Sequence, residues 1–172
     1  MVSYVNDYMY VDLLASTDGL QELHTLYTWT VFNKSGPVFP WAHRYKIVTG
    51  VVATVLAYLH EECEQQVVHR DVKASNIMLD ARFNARLGDF GIAKVAYHNK
   101  SPDATLVVGT MGYLAPEYIH TGKASEKKDV FSYGVVVLEV ACGWRPLETD
   151  VPSKENVLVD WVWGLDVLFK HF

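Results

Sequence analysis

Residues 69–91, HRDVKASNIMLDARFNARLGDFG, set two acids, a lysine and an asparagine around two short apolar runs. Phosphoryl transfer from ATP asks for such a set: a group that orients and deprotonates the accepting hydroxyl, a cation beside the transferred phosphate, and oxygen ligands for Mg2+. On this reading Asp71 is the expected base and Lys73 the cation on the γ-phosphate. Asn76 is expected to bind the metal through its amide oxygen, and Asp89 to be the principal metal carboxylate. An Asp, a Lys and an Asn sharing one loop are by themselves a solvated turn, so the wider pattern has to carry the assignment.

The elements that would position these groups are legible on both sides. NIMLD and ARLGDF about ARFN predict a small β-hairpin with a loop at each end, and both loops carry acids. Upstream, Ile47, Val48, Val51, Val52, Val55, Leu56 and Leu59 recur at helical spacing in IVTGVVATVLAYL and predict one core helix. Downstream, residues 89–117 are rich in Gly, Ser, Thr and Pro, with a length typical of functional loops. Ser125 is the expected N-cap of a further helix, with Glu126 favourable in its first turn. That helix, KKDVFSYGVVVLEVACG, is apolar nearly all round after Asp129 and is predicted to be central and buried.

Composition narrows the partners. The 172 residues suffice for one domain that buries roughly 70% of its unfolded surface. A net charge of −5 with scattered basic residues argues against a nucleic acid or an anionic membrane as partner. The apolar run 47–59 is too short for the ~20 residues that span a bilayer, and no basic stretch opens the chain as a secretory signal would. Cys63 and Cys142 form no disulfide framework and suit a reducing compartment, so a cytoplasmic location is expected and the NKS sequons at Asn33 and Asn99 read as chance. His60, Glu61, Glu62, Cys63 and His69 lack the paired spacing of a structural zinc site. A solvated helix end is the expectation there, with His69 a packed residue that anchors backbone.

HRDVKASN, DFG and APE, in that order and with these spacings, resemble the catalytic and activation loops of eukaryotic protein kinases. LAYLHEECEQQVVHRDVKASNIMLD, ARLGDFGIAK, GTMGYLAPEY and DVFSYGVVVLEVACG are similar to plant receptor-like kinases, above all those with legume-lectin domains, from about Asn33 to Trp163. The resemblance implies Ser/Thr as acceptor, because Lys73 and Thr110 stand where tyrosine kinases differ. It implies that Arg70 pairs with a phosphorylated activation-loop residue, with Ser101 and Thr105 as candidates. It further implies that Met78 floors the adenine pocket, that Phe90 packs inward behind Asp89, that Asp129 bonds the catalytic-loop backbone, and that Glu117 is an ion-pair residue.

The fold so implied is mainly α with a small β-hairpin, the truncated C-terminal lobe of the protein-kinase-like fold. Residues 39–172 would form that partial lobe, with the catalytic loop at 69–76, the activation segment at 89–117 and the central helix at 126–143. Residues 1–38 read as a disturbed hinge: MVS and DYM resemble linker pieces separated by YVN, and residues 10–32 depart from the family as a retained intron or gene-model error would. The glycine-rich loop, strand lysine and helix glutamate of the other lobe are not identifiable, and the family's further helices are expected beyond VDWVWG. The expected activity is protein Ser/Thr kinase with ATP and Mg2+; the alternative is an inactive kinase fragment or pseudokinase-like interaction module.

Overall fold

A computed structural model describes residues 24–25, 40–80, 82–97, 103–147 and 156–169. Five α-helices and two small antiparallel sheets make up these residues. Helices α1 (Trp41–Thr49) and α2 (Val51–Ala57) lie where one continuous helix is predicted. The break falls at Gly50, where a Cβ would sit 2.7 Å from the Lys46 carbonyl oxygen, so only glycine lets the chain pass this close. Apolar periodicity runs straight through the break: Ile47, Val52, Leu56 and Leu59 are all buried. The end of α2 then widens into a π-helical turn, Tyr58–Glu62.

The predicted hairpin is present as β3 (Ile77–Leu79) and β4 (Ala85–Leu87), paired antiparallel with Ile77 opposite Leu87. Its turn is built by Asp80, whose carboxylate accepts bonds from the backbone N–H of Arg82 and Asn84 and from the Asn84 amide at 2.8–2.9 Å. Two pairings go beyond the prediction. Strand β1 (His24–Thr25) joins β3, and β2 (Gln66–Val68) pairs with β5 (Lys94–Ala96) across the outside of both site loops. The described residues of the segment 89–117, namely 89–97 and 103–117, are irregular except for β5, a bridge from Ala104 to Lys123 and the start of α3 (Pro116–Thr121).

Helix α4 (Glu126–Cys142) is the predicted central helix. Ser125 occupies the N-cap but its side chain makes no capping bond; Glu126 and Asp129 place negative charge in the first turn instead. Gly143, at φ 78, ends the helix by returning its N–H to the Glu139 carbonyl at 2.9 Å. The helix is not buried all round. Val135, Val136 and Val140 join Ile47, Val52, Leu56, Val72, Ile77, Leu79 and Leu87 in the core, whereas Val130 is 57% exposed. Tyr133 Oη donates to the Val48 carbonyl, and Arg44 Nη1 to the Ala141 carbonyl at 3.1 Å, tying α1 to α4. Helix α5 (Leu158–Phe169) is held by the stack of Trp144 on Trp161, with centroids 4.6 Å apart, and by a backbone bridge between Leu147 and Val157.

One buried acid on α4 makes the fold sensitive to pH. Burial pushes the Glu139 carboxyl up to about 7, although the Tyr113 hydroxyl donates to it at 2.5 Å and Arg145 lies near. A carboxyl that binds its proton more tightly in the folded than in the unfolded chain favours the fold at acid pH. That advantage is lost as pH rises from about 4.5 to about 7. We expect this group to remove on the order of 2–3 kcal/mol of stability across that window. Urea unfolding at pH 5 and pH 8 will show the wild type losing more than Glu139→Gln; parallel losses would exclude the effect.

Candidate active site

The loop between β2 and β3 is fixed from below by one carboxylate. Asp129, fully buried in the first turn of α4, accepts the backbone N–H of His69 at 2.7 Å through Oδ2 and that of Arg70 at 2.9 Å through Oδ1. His60 Nε2 lies 3.1 Å from the same Oδ2. The expectation of a solvated helix end therefore holds for the exposed Glu61 and Glu62 but not for His60, which is 6% exposed. The π-helical turn shifts the phase of this helix end, and His60 is buried against α4.

His69 is fully buried, as predicted for a backbone anchor. Its Nε2 donates to the Gly88 carbonyl at 2.9 Å and its Nδ1 accepts the Asp71 N–H at 3.3 Å, a pattern that requires the neutral ring. Burial lowers its pKa in the same sense, against the pull of Asp129 and the Gly88 bond. This one ring joins the catalytic loop to the loop that carries Asp89. The Phe90 ring meets it edge-on at 4.4 Å. His60 Nε2 and both His69 ring nitrogens thus have separate partners, and among the described residues no group of three or more metal-ligating side chains comes together.

Above this floor four of the predicted residues meet. Lys73 Nζ lies 2.6 Å from Asp71 Oδ2, and Asn76 Nδ2 donates to the same oxygen at 3.2 Å and to the Asp71 carbonyl at 2.9 Å. The Thr110 hydroxyl donates to Asp71 Oδ1 at 2.7 Å and accepts from Lys73 at 3.0 Å. Burial alone would raise the Asp71 pKa; the bonds from Lys73 and Thr110, the Lys73 charge and the Asn76 bond outweigh it and hold the carboxyl below the ordinary aspartate value. Asp71 is therefore an ionised acceptor at neutral pH.

The remaining predicted residues lie around this group. Asp89 is exposed at φ 58 and accepts the Gly91 N–H at 3.4 Å. Met78 is half-buried on β3, its methyl so near Gly88 that a Cβ there would come within 2.7 Å. Arg70, at φ 72, donates through Nη2 to the Leu106 carbonyl and to the Tyr118 hydroxyl, each at 3.2 Å. Thr105 is apart from it, its N–H and hydroxyl on the Gly122 carbonyl at 2.9 and 3.4 Å. Ser101 lies outside the described residues, and Glu117 is exposed.

Two buried residues at the site escaped sequence reasoning. Lys128 is 2% exposed and donates to the Arg70 carbonyl; Tyr118 is 1% exposed, with its ring 5.2 Å below the Lys128 ammonium. The only available signal was a lysine adjoining Asp129 at a helix start, which reads as surface.

The family described as protein kinase domain matches residues 5–161. The chain is 65% identical to the L-type lectin-domain containing receptor kinase VIII.1 of Arabidopsis thaliana over 132 residues, covering 73% of this chain and 18% of the relative. It is 61% identical to kinase VIII.2 of the same name and plant over 138 residues, covering 77% and 19%. Against the L-type lectin-domain containing receptor kinase S.7 of Oryza sativa subsp. japonica the identity is 53% over 143 residues, covering 83% and 19%. The chain thus spans 18–19% of the length of these curated relatives. Among the described residues no helix is long and apolar enough to cross a membrane.

Removing the Asp129 carboxylate would orphan two backbone N–H groups, one buried and one half-buried. Asp129→Ala is expected to cost about 3–5 kcal/mol in urea unfolding. A loss under 1 kcal/mol would mean that the loop finds other acceptors.

Proposed function

Because the chain belongs to the protein kinase domain family, we propose that it forms the catalytic-loop wall of a protein serine/threonine kinase that transfers the γ-phosphate of ATP to Ser or Thr hydroxyls. The observation that carries this reading is the Asp71 carboxylate, held ionised by Lys73, Asn76 and Thr110. Such a carboxylate is a better positioner than a strong base. It accepts the substrate hydroxyl's hydrogen in place of the Thr110 hydroxyl and aims the oxygen at the phosphorus. Lys73, already between Asp71 and Thr110, supplies positive charge to the transferred phosphate. Thr110 in turn ties the activation segment to the base, and with Lys73 it supports Ser/Thr over Tyr as acceptor.

The donor chemistry fits a hard divalent cation such as Mg2+. Asn76 spends its Nδ2 on Asp71 and keeps its amide oxygen, and Asp89 offers an exposed carboxylate. A bound ion would neutralise phosphate charge. Met78, beside Gly88, supports a nucleotide floor at that point.

Residues 39–172 are, on this proposal, part of the lower lobe of a kinase, with the catalytic loop at 69–76, the activation segment at 89–117 and the central helix at 126–143. Thr105 is the described candidate for phosphorylation, and Ser101 a second. The likeness to receptor kinases supports a place on the cytoplasmic side of the plasma membrane, acting on protein substrates.

Joined to a lobe that supplies a glycine-rich loop, strand lysine and helix glutamate, the chain should transfer labelled phosphate from Mg2+-ATP to a Ser/Thr protein substrate, and Asp71→Asn should reduce the rate about 10²–10⁴-fold. Transfer unaffected by the substitution would sink the assignment of Asp71. No transfer at all would favour the interaction-module reading.

A further inference from the structure

Arg70 is gripped at its backbone and at one end of its guanidinium. Its N–H goes to Asp129, its carbonyl to the Lys128 ammonium, and its Nη2 to the Leu106 carbonyl and the Tyr118 hydroxyl. Nε alone is buried without a partner. Among the described residues no carboxylate pairs with this guanidinium; neutral oxygens hold it. The residue also sits at φ 72, a left-handed conformation that is strained for a non-glycine and persists only where the surroundings enforce it.

Tyr118 is the centre of this grip. Its hydroxyl accepts the Val108 N–H at 3.1 Å and Arg70 Nη2 at 3.2 Å, and donates to the Leu106 carbonyl at 3.3 Å. A phenol has one hydrogen to give and two lone pairs to fill, so this one is saturated. Three of its contacts thereby join helix α3, the catalytic loop and residues 106–108. Lys128 completes the arrangement from α4: a buried ammonium with no salt bridge among the described residues, it holds the Arg70 carbonyl and faces the Tyr118 ring. Burying an ammonium in this way is costly, and a methionine would fill similar space without the charge. What the charge adds is a hold on the carbonyl that follows the strained Arg70, as Asp129 holds the N–H that precedes it.

We propose that Tyr118 and Lys128 are positioning residues that keep residues 106–108 docked on the catalytic loop without a phosphate group on the activation segment. This rests on the kinase reading for its consequence, since the docked segment leads to Thr110 and so to Asp71. The docking itself does not depend on that reading. Phosphorylation of this segment would then adjust a site already assembled.

Amide hydrogen exchange of the full 172-residue chain tests the docking with no nucleotide present. Tyr118→Phe keeps the ring and removes the hydroxyl, so the Val108 amide should exchange about tenfold faster while amides of 135–140 in α4 keep their rates. Lys128→Met, a second and independent variant, should accelerate the Arg70 amide by a similar factor with α4 again unchanged. Unaltered rates at Val108 and Arg70 would overturn the proposal, as would an acceleration spread evenly over α4, which marks ordinary core residues. In a chain that transfers phosphate, Tyr118→Phe should raise KM for the protein substrate and leave KM for ATP unchanged. Equal rises in both would overturn the positioning role. Absence of transfer in the wild type counts against the kinase reading alone, because the exchange rates are read without it.

Discussion

The site depends on a buried carboxylate that faces main chain. Asp129 has no solvent exposure, and its two oxygens take the N–H groups of His69 and Arg70 while His60 supports one of them from behind. A desolvated carboxylate is tolerable only when it is well bonded, and a left-handed arginine only when its peptide is held. Each of these unfavourable features removes the cost of the other. The result is a loop whose backbone is specified by α4 before any of its side chains does chemistry. Asp71 then follows directly from a peptide that has little freedom left.

From that floor the order extends by single, identifiable links. The neutral His69 ring binds the Gly88 carbonyl and so sets the loop that carries Asp89. Thr110 binds Asp71 from the far end of the activation segment. The proposed chemistry draws on three stretches of chain, and both outer stretches are bonded to the loop of Asp71: Gly88 through His69 and the Asn76 carbonyl, and Thr110 through Asp71 and Lys73. Electrostatic preorganisation of this kind keeps the acceptor carboxylate ionised and aimed in advance, which is what a reaction governed by positioning and charge requires.

The groups of the proposed site are legible in the sequence because phosphoryl transfer restricts residue type at close spacing: Asp71, Lys73 and Asn76 share one loop, and Asp89 follows one hairpin later. The hairpin was readable from β-period runs about a polar turn, and α4 from its apolar density. The supports were harder. Periodicity carries through Gly50 and cannot register the helix break, because apolar residues on both sides still face the core. His60 is buried by its bond to Asp129 on α4, a partner distant in sequence, where a polar residue at a helix end reads as solvated. Lys128 and Tyr118 owe their burial to partners distant in sequence, and residue type argues the opposite for a lysine. Strands β2 and β5 are three residues each and separated by the whole hairpin, so no local signal announces their pairing. Val130 fails for the converse reason: apolar density shows that a helix is buried, but not which flank the neighbours leave open.

The pairing of β2 with β5 encloses the β3–β4 hairpin as an outer clasp, so residues 69–76 and 88–93 are the two connections between nested antiparallel pairs. Both connections have their ends pinned in register. One residue added to either would have to be taken up within that loop, moving Asp71 or Asp89 relative to the strands that flank it. The spacing between the acceptor carboxylate and the exposed Asp89 is therefore a closed-ring property. A change in the length of either loop alone would alter it, so the two loops are constrained in length more than in the residues of their outer face.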